Sequence, residues 1–171
     1  MSSAFYPQLI GVEALEPYIL RTHWNIGEIL DVDVGEILKN IKSSAPILQE
    51  DNFKKIHISG NGQCVEWFDT ELAADNVYAW AMEQKGQPSH EMFHVWLYRN
   101  RLSNVEAAKI LGIKKHMVEW YANARKKIPW HVWLACVGYV ILAQGQKPEA
   151  INNMDFKTTK IKTSLKMYPV R

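Results

Sequence analysis

The sequence predicts an α+β N-terminal domain, with about four antiparallel strands and one or two helices, followed by an all-α helix-turn-helix domain. Three observations lead there. Short apolar runs bounded by Gly and Asn turns dominate the first half, whereas apolar residues recur at helical spacing after residue 75. A Ser-x-x-Glu start signal at Ser103 and Glu106 is followed by Gly112 and a second helical run. Charge divides the chain in the same way. Residues 1–88 hold 13 acidic and 6 basic side chains, a net of −7, while residues 89–171 hold 5 acidic and 14 basic, a net of +9. The overall charge of +2 hides this split.

The predicted divisions are an acidic domain over 1–87, the helical domain over 88–145 and a basic tail over 146–171. In the tail, Lys157, Lys160, Lys162, Lys166 and Arg171 follow Asp155 with no further acid. Without those five charges the 89–156 block is still at +4, so the helical module is itself basic.

In the front half, Tyr18–Trp24 is apolar and aromatic, and Asn25-Ile26-Gly27 supplies turn chemistry. Glu28–Val34 then alternates, with Leu30, Val32 and Val34 on one face and Asp31 and Asp33 on the other. These two runs read as a β-hairpin with one buried face. Gly35–Ile41 suits a short helix. Phe53–Ile58 and Gln63–Trp67 form a second candidate hairpin across Ser59-Gly60-Asn61-Gly62. Asp75 can cap a helix running to Gln84, with Gly86 past its end.

In the rear half, Ser89 can cap a first helix over 90–100 that buries Phe93, Trp96 and Leu97. Ser103 and Glu106 open a second helix, with Ala107, Ala108 and Leu111 at core spacing. Gly112 stands where the turn needs positive φ. Lys114–Asn123 is the third helix, with Val118, Tyr121 and Ala122 inward and Lys115, His116, Glu119 and Asn123 on the other side. Arg125-Lys126-Lys127 is a basic linker, and Pro129 starts a fourth, apolar helix that ends before Gly145.

Composition narrows the class. A chain of 171 residues with seven Trp can pack one domain or two small ones. Cys64 and Cys136 fall in different elements, a strand and an apolar helix, and suit a reducing cytoplasm better than a disulfide framework. The N-terminus lacks the basic start and apolar stretch of a secretory signal. The apolar run Ile128–Ala143, sixteen residues with Pro129, His131 and Gly138, is shorter than the ~20 a membrane span needs. The expectation is a cytoplasmic protein with no membrane partner.

Two patterns could suggest catalysis. Asp31, Asp33 and Glu36 could pair carboxylates for acid–base or metal work, but the solvated outer face of a one-sided sheet is the preferred reading. His90-Glu91-Met92-Phe93-His94 matches H-E-x-x-H, in which two His at i and i+4 hold zinc and Glu activates water. The same helix must bury Phe93, Trp96 and Leu97, and no third ligand follows at a known spacing. The motif is read as a helical turn with Glu91 near the positive end of the dipole and two surface imidazoles. No enzyme activity, cofactor or metal is expected, and a zinc hydrolase is the remote alternative.

The stretches VEALEPYILRTHWNIGEILDVDVGEIL and VEWFDTELAADNVYAWA resemble a small bacterial domain-of-unknown-function family over roughly residues 10–83. That resemblance implies a fold and an association with regulatory modules, but no activity. LSNVEAAKILGIKKHMVEWYANARKKIP resembles the lambda-repressor-like DNA-binding domain. It matches ungapped at Leu102, Ser103, Glu106, Ala108, Leu111, Gly112, Ile113, Val118, Tyr121 and Pro129. It departs at Lys114, where the family has a small hydroxyl residue, at Ala124, where it often has Gly, and at Trp120, a position usually polar.

Mapped position by position, the second resemblance implies base-edge contacts from Lys115, His116 and Glu119, chemistry that each side chain can perform. It implies phosphate contacts from Asn104, Lys114, Asn123, Arg125 and Lys126. The expected function is sequence-specific binding of double-stranded DNA by a bacterial transcriptional regulator. Its helix 114–123 would enter the major groove, and the protein would act as a homodimer paired through the fourth helix or the front sheet. The alternative is an antitoxin-like or other interaction module whose acidic front domain holds a partner protein. The −7/+9 split also suggests that the front half could fold onto the basic surface.

Overall fold

The computed structural model describes residues 6–143 and 145. Strands β1 (Leu9–Leu15), β2 (Ile19–Trp24) and β3 (Ile29–Asp33) form one antiparallel sheet in sequence order. Helices α1 (Gly35–Lys39) and α2 (Glu50–Phe53) follow. Strands β4 (His57–Ser59), β5 (Cys64–Trp67) and β6 (Thr70–Ala73) then form a second antiparallel sheet, from which α3 (Ala74–Gln84) runs on directly. The remaining helices are α4 (His90–Arg99), α5 (Asn104–Leu111), α6 (Lys115–Ala122) and α7 (Trp130–Ala143).

The alternation in β2 and β3 does what a period of two requires: Leu20, Thr22, Trp24, Leu30 and Val32 are all buried. Thr22 would be a buried polar liability, but its hydroxyl donates to the Leu30 carbonyl at 2.8 Å and accepts from Trp24 Nε1 at 3.0 Å. On the outer face Arg21 and Asp31 stand opposite each other in register and pair through two 2.9 Å contacts. The β4–β5 turn closes against β1 at Gly62. There φ is +84°, and a Cβ would drive into the Leu9 carbonyl oxygen. A side chain at that position is excluded by both conformation and space.

The fold class expected from sequence is overturned. Among the described residues there are six strands in two three-stranded sheets, all between residues 9 and 73, and seven α-helices, three of which belong with the strands. The architecture is mixed α+β, not an α+β domain of about four strands followed by an all-α domain. Beyond the two extra strands, specific contacts also tie early sequence to late. The Tyr6 N–H donates to the Asn123 carbonyl at 3.0 Å, the Ser89 hydroxyl donates to Glu83 at 2.5 Å, and Lys127 pairs with Glu28. Ala124 packs against the front core, and the Tyr78 and His90 rings lie 6.4 Å apart. Charge and periodicity read along the chain do not show such pairings.

Two element-level expectations also change. Phe53 is helical rather than part of a strand. Ala73, with no side-chain capping bond, precedes α3, and Asp75 lies inside the first turn. No helix among the described residues is long and apolar enough to cross a membrane.

Candidate nucleic-acid interface

The segment around α5 and α6 is set by local chemistry. The Ser103 hydroxyl accepts from the Glu106 N–H at 3.3 Å. Glu106 Oε2 accepts in return from the Ser103 N–H at 2.8 Å and from its hydroxyl at 2.6 Å. These bonds hold the Glu106 carboxyl below the usual carboxylate range and satisfy two donors that a helix start leaves open. Gly112 ends α5 in the left-handed region at φ 65°, ψ 29°, so α6 begins four residues after Leu111. Ala124, where the resembled family often has Gly, also adopts positive φ at 56°.

The inner face of this pair is sealed. Ala107, Ala108, Val118, Tyr121 and Ala122 join Phe93, Trp96, Ile128, Val132, Trp133 and Cys136 in one buried cluster. The outer face of α6 carries two i, i+4 pairs side by side. Lys115 Nζ lies 3.2 Å from Glu119 Oε1, and the His116 and Trp120 rings meet edge-on with centroids 4.9 Å apart. Lys115, His116 and Trp120 are exposed and Glu119 is half-buried. The three base-edge candidates therefore share one surface. Two of them already neutralise each other, and Trp120, unassigned in the sequence reading, completes the second pair.

The phosphate candidates divide. Lys114, at the N-terminal end of α6, and Arg125 and Lys126, beyond its C-terminal end, are exposed, while Asn104 at the start of α5 is half-buried. Arg125 also sits over the Tyr6 ring, 5.8 Å from its centroid. Asn123 departs from expectation. It is only 5% exposed, its carbonyl accepts from Tyr6, and its side-chain oxygen accepts from the Arg125 N–H at 3.2 Å. The chain entering β1 covers the end of α6, so this side chain caps structure rather than facing outward. The acidic half meets the basic linker at Lys127, through Glu28, and Lys127 stays exposed like Lys114, Lys115 and Lys126.

The other carboxylates are engaged locally. Asp31 pairs with Arg21, the Asp33 side chain accepts from the Gly35 N–H at 2.8 Å, and Glu36 pairs with Lys39 at 2.7 Å. Within His90–His94, the expected pair of surface imidazoles is half corrected: His94 is exposed, but His90 is 6% exposed and packs toward Tyr78. Among the described residues no three His, Cys, Asp or Glu side chains converge as a metal site would require.

Burial, reinforced by His94 and opposed by Asp75, lowers the His90 pKa from 6.5 to about 4. The unfolded chain therefore binds this proton more readily than the folded one. Stability is complete above pH 6.5 and falls as pH drops toward 4. Urea unfolding at pH 7 and pH 4.5 should show a loss that shrinks by about 2–3 kcal/mol in His90→Phe. An equal acid loss in both proteins would show that His90 is not the titrating group.

No protein-family model and no curated protein matches the chain. Among solved structures it is similar to a protein of Nitrosomonas europaea ATCC 19718 named as a putative DNA binding protein. Identity is 54%, the TM-score is 0.79, and the match covers 82% of this chain and 90% of the other. The chain belongs to that protein's family. At this identity and coverage the relationship extends well beyond the α5–α6 pair, through most of the mixed α+β fold.

Proposed function

We propose that the chain is a sequence-specific DNA-binding protein of the lambda-repressor-like helix-turn-helix kind, acting in the bacterial cytoplasm as a transcriptional regulator. The observation that carries this reading is the α5–α6 pair. Its inner face is locked into a core, and its outer face presents polar and aromatic side chains flanked by exposed Lys114, Arg125 and Lys126. A short helix held this way fits the major groove, with cations at both ends placed for the backbone. The name of the Nitrosomonas relative supports the DNA-binding part of this reading. The chain acts by recognition, without covalent chemistry.

Pairing of two copies through α7 is part of this reading. That helix has no charged residue, yet only Val132, Trp133 and Cys136 of its fourteen residues are buried, while Trp130, Leu134 and Leu142 are exposed by 39–52%. An apolar face of this kind suits a self-complementary contact.

Selection of genomic fragments with the purified protein, at two salt concentrations and beside Lys115→Ala/His116→Ala, tests both parts. The expected result is one enriched sequence, lost in the variant, arranged as two half-sites about one helical turn apart. A lone half-site would remove the dimer. Weak, salt-sensitive binding that the variant retains would mean only a basic surface, and the protein-interaction reading would replace this one.

A further inference from the structure

Trp120 stands apart from most of the tryptophans. Trp24, Trp67, Trp96 and Trp133 are at most 2% exposed, and Trp80 packs against the front core. Trp120 is 39% exposed on the outer face of α6, where burial in either core cannot explain it. The side chain is also oriented, because the His116 ring, one turn earlier on the same face, meets it edge-on at 4.9 Å. Beside this pair, Lys115 and Glu119 satisfy each other at 3.2 Å. The surface offered by α6 is thus an internally neutralised ion pair next to a fixed aromatic edge.

Base edges in the major groove are donors and acceptors, with one apolar exception, the C5-methyl of thymine. An indole face pressed against any other edge would strip water from polar atoms, and its single N–H could replace at most one of the lost hydrogen bonds. From this placement we propose that Trp120 is a specificity-determining residue that packs its ring on a thymine methyl, with His116 holding the ring in position. The inference rests on the reading of α6 as the DNA-contacting helix and adds the base it selects.

The test uses the full chain and the duplex obtained by selection, with each thymine replaced in turn by uracil, which lacks only the methyl group. At one thymine per bound subunit the replacement should weaken wild-type binding about fourfold, equivalent to the ~0.8 kcal/mol of one buried methyl-sized group. Trp120→Ala should bind the thymine and uracil duplexes alike, and Trp120→Phe should keep part of the discrimination. Because Trp120 is exposed, both variants should melt as the wild type does. If the wild type binds every uracil duplex as tightly as the parent, or if Trp120→Ala discriminates as the wild type does, the Trp120 proposal is overturned while DNA recognition by α6 stands. If the wild type enriches no sequence at all, the reading of α6 falls and the Trp120 proposal falls with it.

Discussion

Trp96→Ala is expected to destabilise the protein by about 3–5 kcal/mol, lowering its melting temperature by roughly 6–20 °C. Trp96 is 1% exposed and stands at the centre of the cluster that holds α4, α5, α6 and α7 together. It stacks on Phe93 with centroids 5.5 Å apart and meets Tyr139 edge-on at 5.9 Å. Its Nε1 donates to the Cys136 carbonyl at 2.9 Å, fastening α4 to α7. Truncation removes a large buried area, leaves a cavity and takes a donor from that carbonyl. Trp96→Phe separates these effects, since it retains an aromatic ring and loses the N–H. It should cost less than Trp96→Ala by 1 kcal/mol or more. Thermal and urea unfolding of both variants check this. A loss below 1 kcal/mol in the alanine variant would show that the four helices are held elsewhere.

That core was legible in advance because its determinants lie close together in sequence. Phe93, Trp96 and Leu97 share one helix face, the Ser103–Glu106 box closes within one turn, and Gly112 marks its own backbone state. The β2–β3 hairpin was legible for the same reason, with alternating side chains around a short turn. The outer strands were not. β1 contains Gly11, has an irregular register near Leu9 and is mostly half-buried, so its residues lack a clean period of two. β6 has four residues and runs straight into α3.

The features of the site that the sequence did not show have a different origin. Asn123 lies on the outward side of a helical wheel, but the chain around Tyr6 returns to cover it. Lys127 looks equivalent to Arg125 and Lys126 until Glu28 claims it. His90 is interior because Tyr78 and α3 pack beside it. The His116–Trp120 pair could have been found, since i, i+4 spacing places two rings on one face. Local spacing thus identified the helices other than α2, whereas the settings of Asn123, Lys127 and His90 depend on residues further away in sequence.

The distinction among the basic residues leads to the largest expected effect on binding. Replacing Lys114, Arg125 and Lys126 together by alanine should reduce the slope of log K against log salt by close to 3, at about 0.9 per lost phosphate contact. At 0.1 M salt this corresponds to a loss of affinity on the order of several hundredfold, similar for every DNA sequence. All three side chains are exposed, so the fold should tolerate the change. Lys127→Ala is the informative comparison. It removes the same formal charge from the same linker, but Glu28 already balances that charge. Its slope should change by much less than 0.9, because a lysine neutralised within the protein releases few additional counterions from DNA. Binding isotherms at four or more salt concentrations would resolve the difference. An unchanged slope in the triple variant would remove these three residues from the backbone contact. A full-sized drop for Lys127→Ala would mean that the Glu28 pair opens when DNA binds, so that the acidic half surrenders the lysine it holds in the unbound protein.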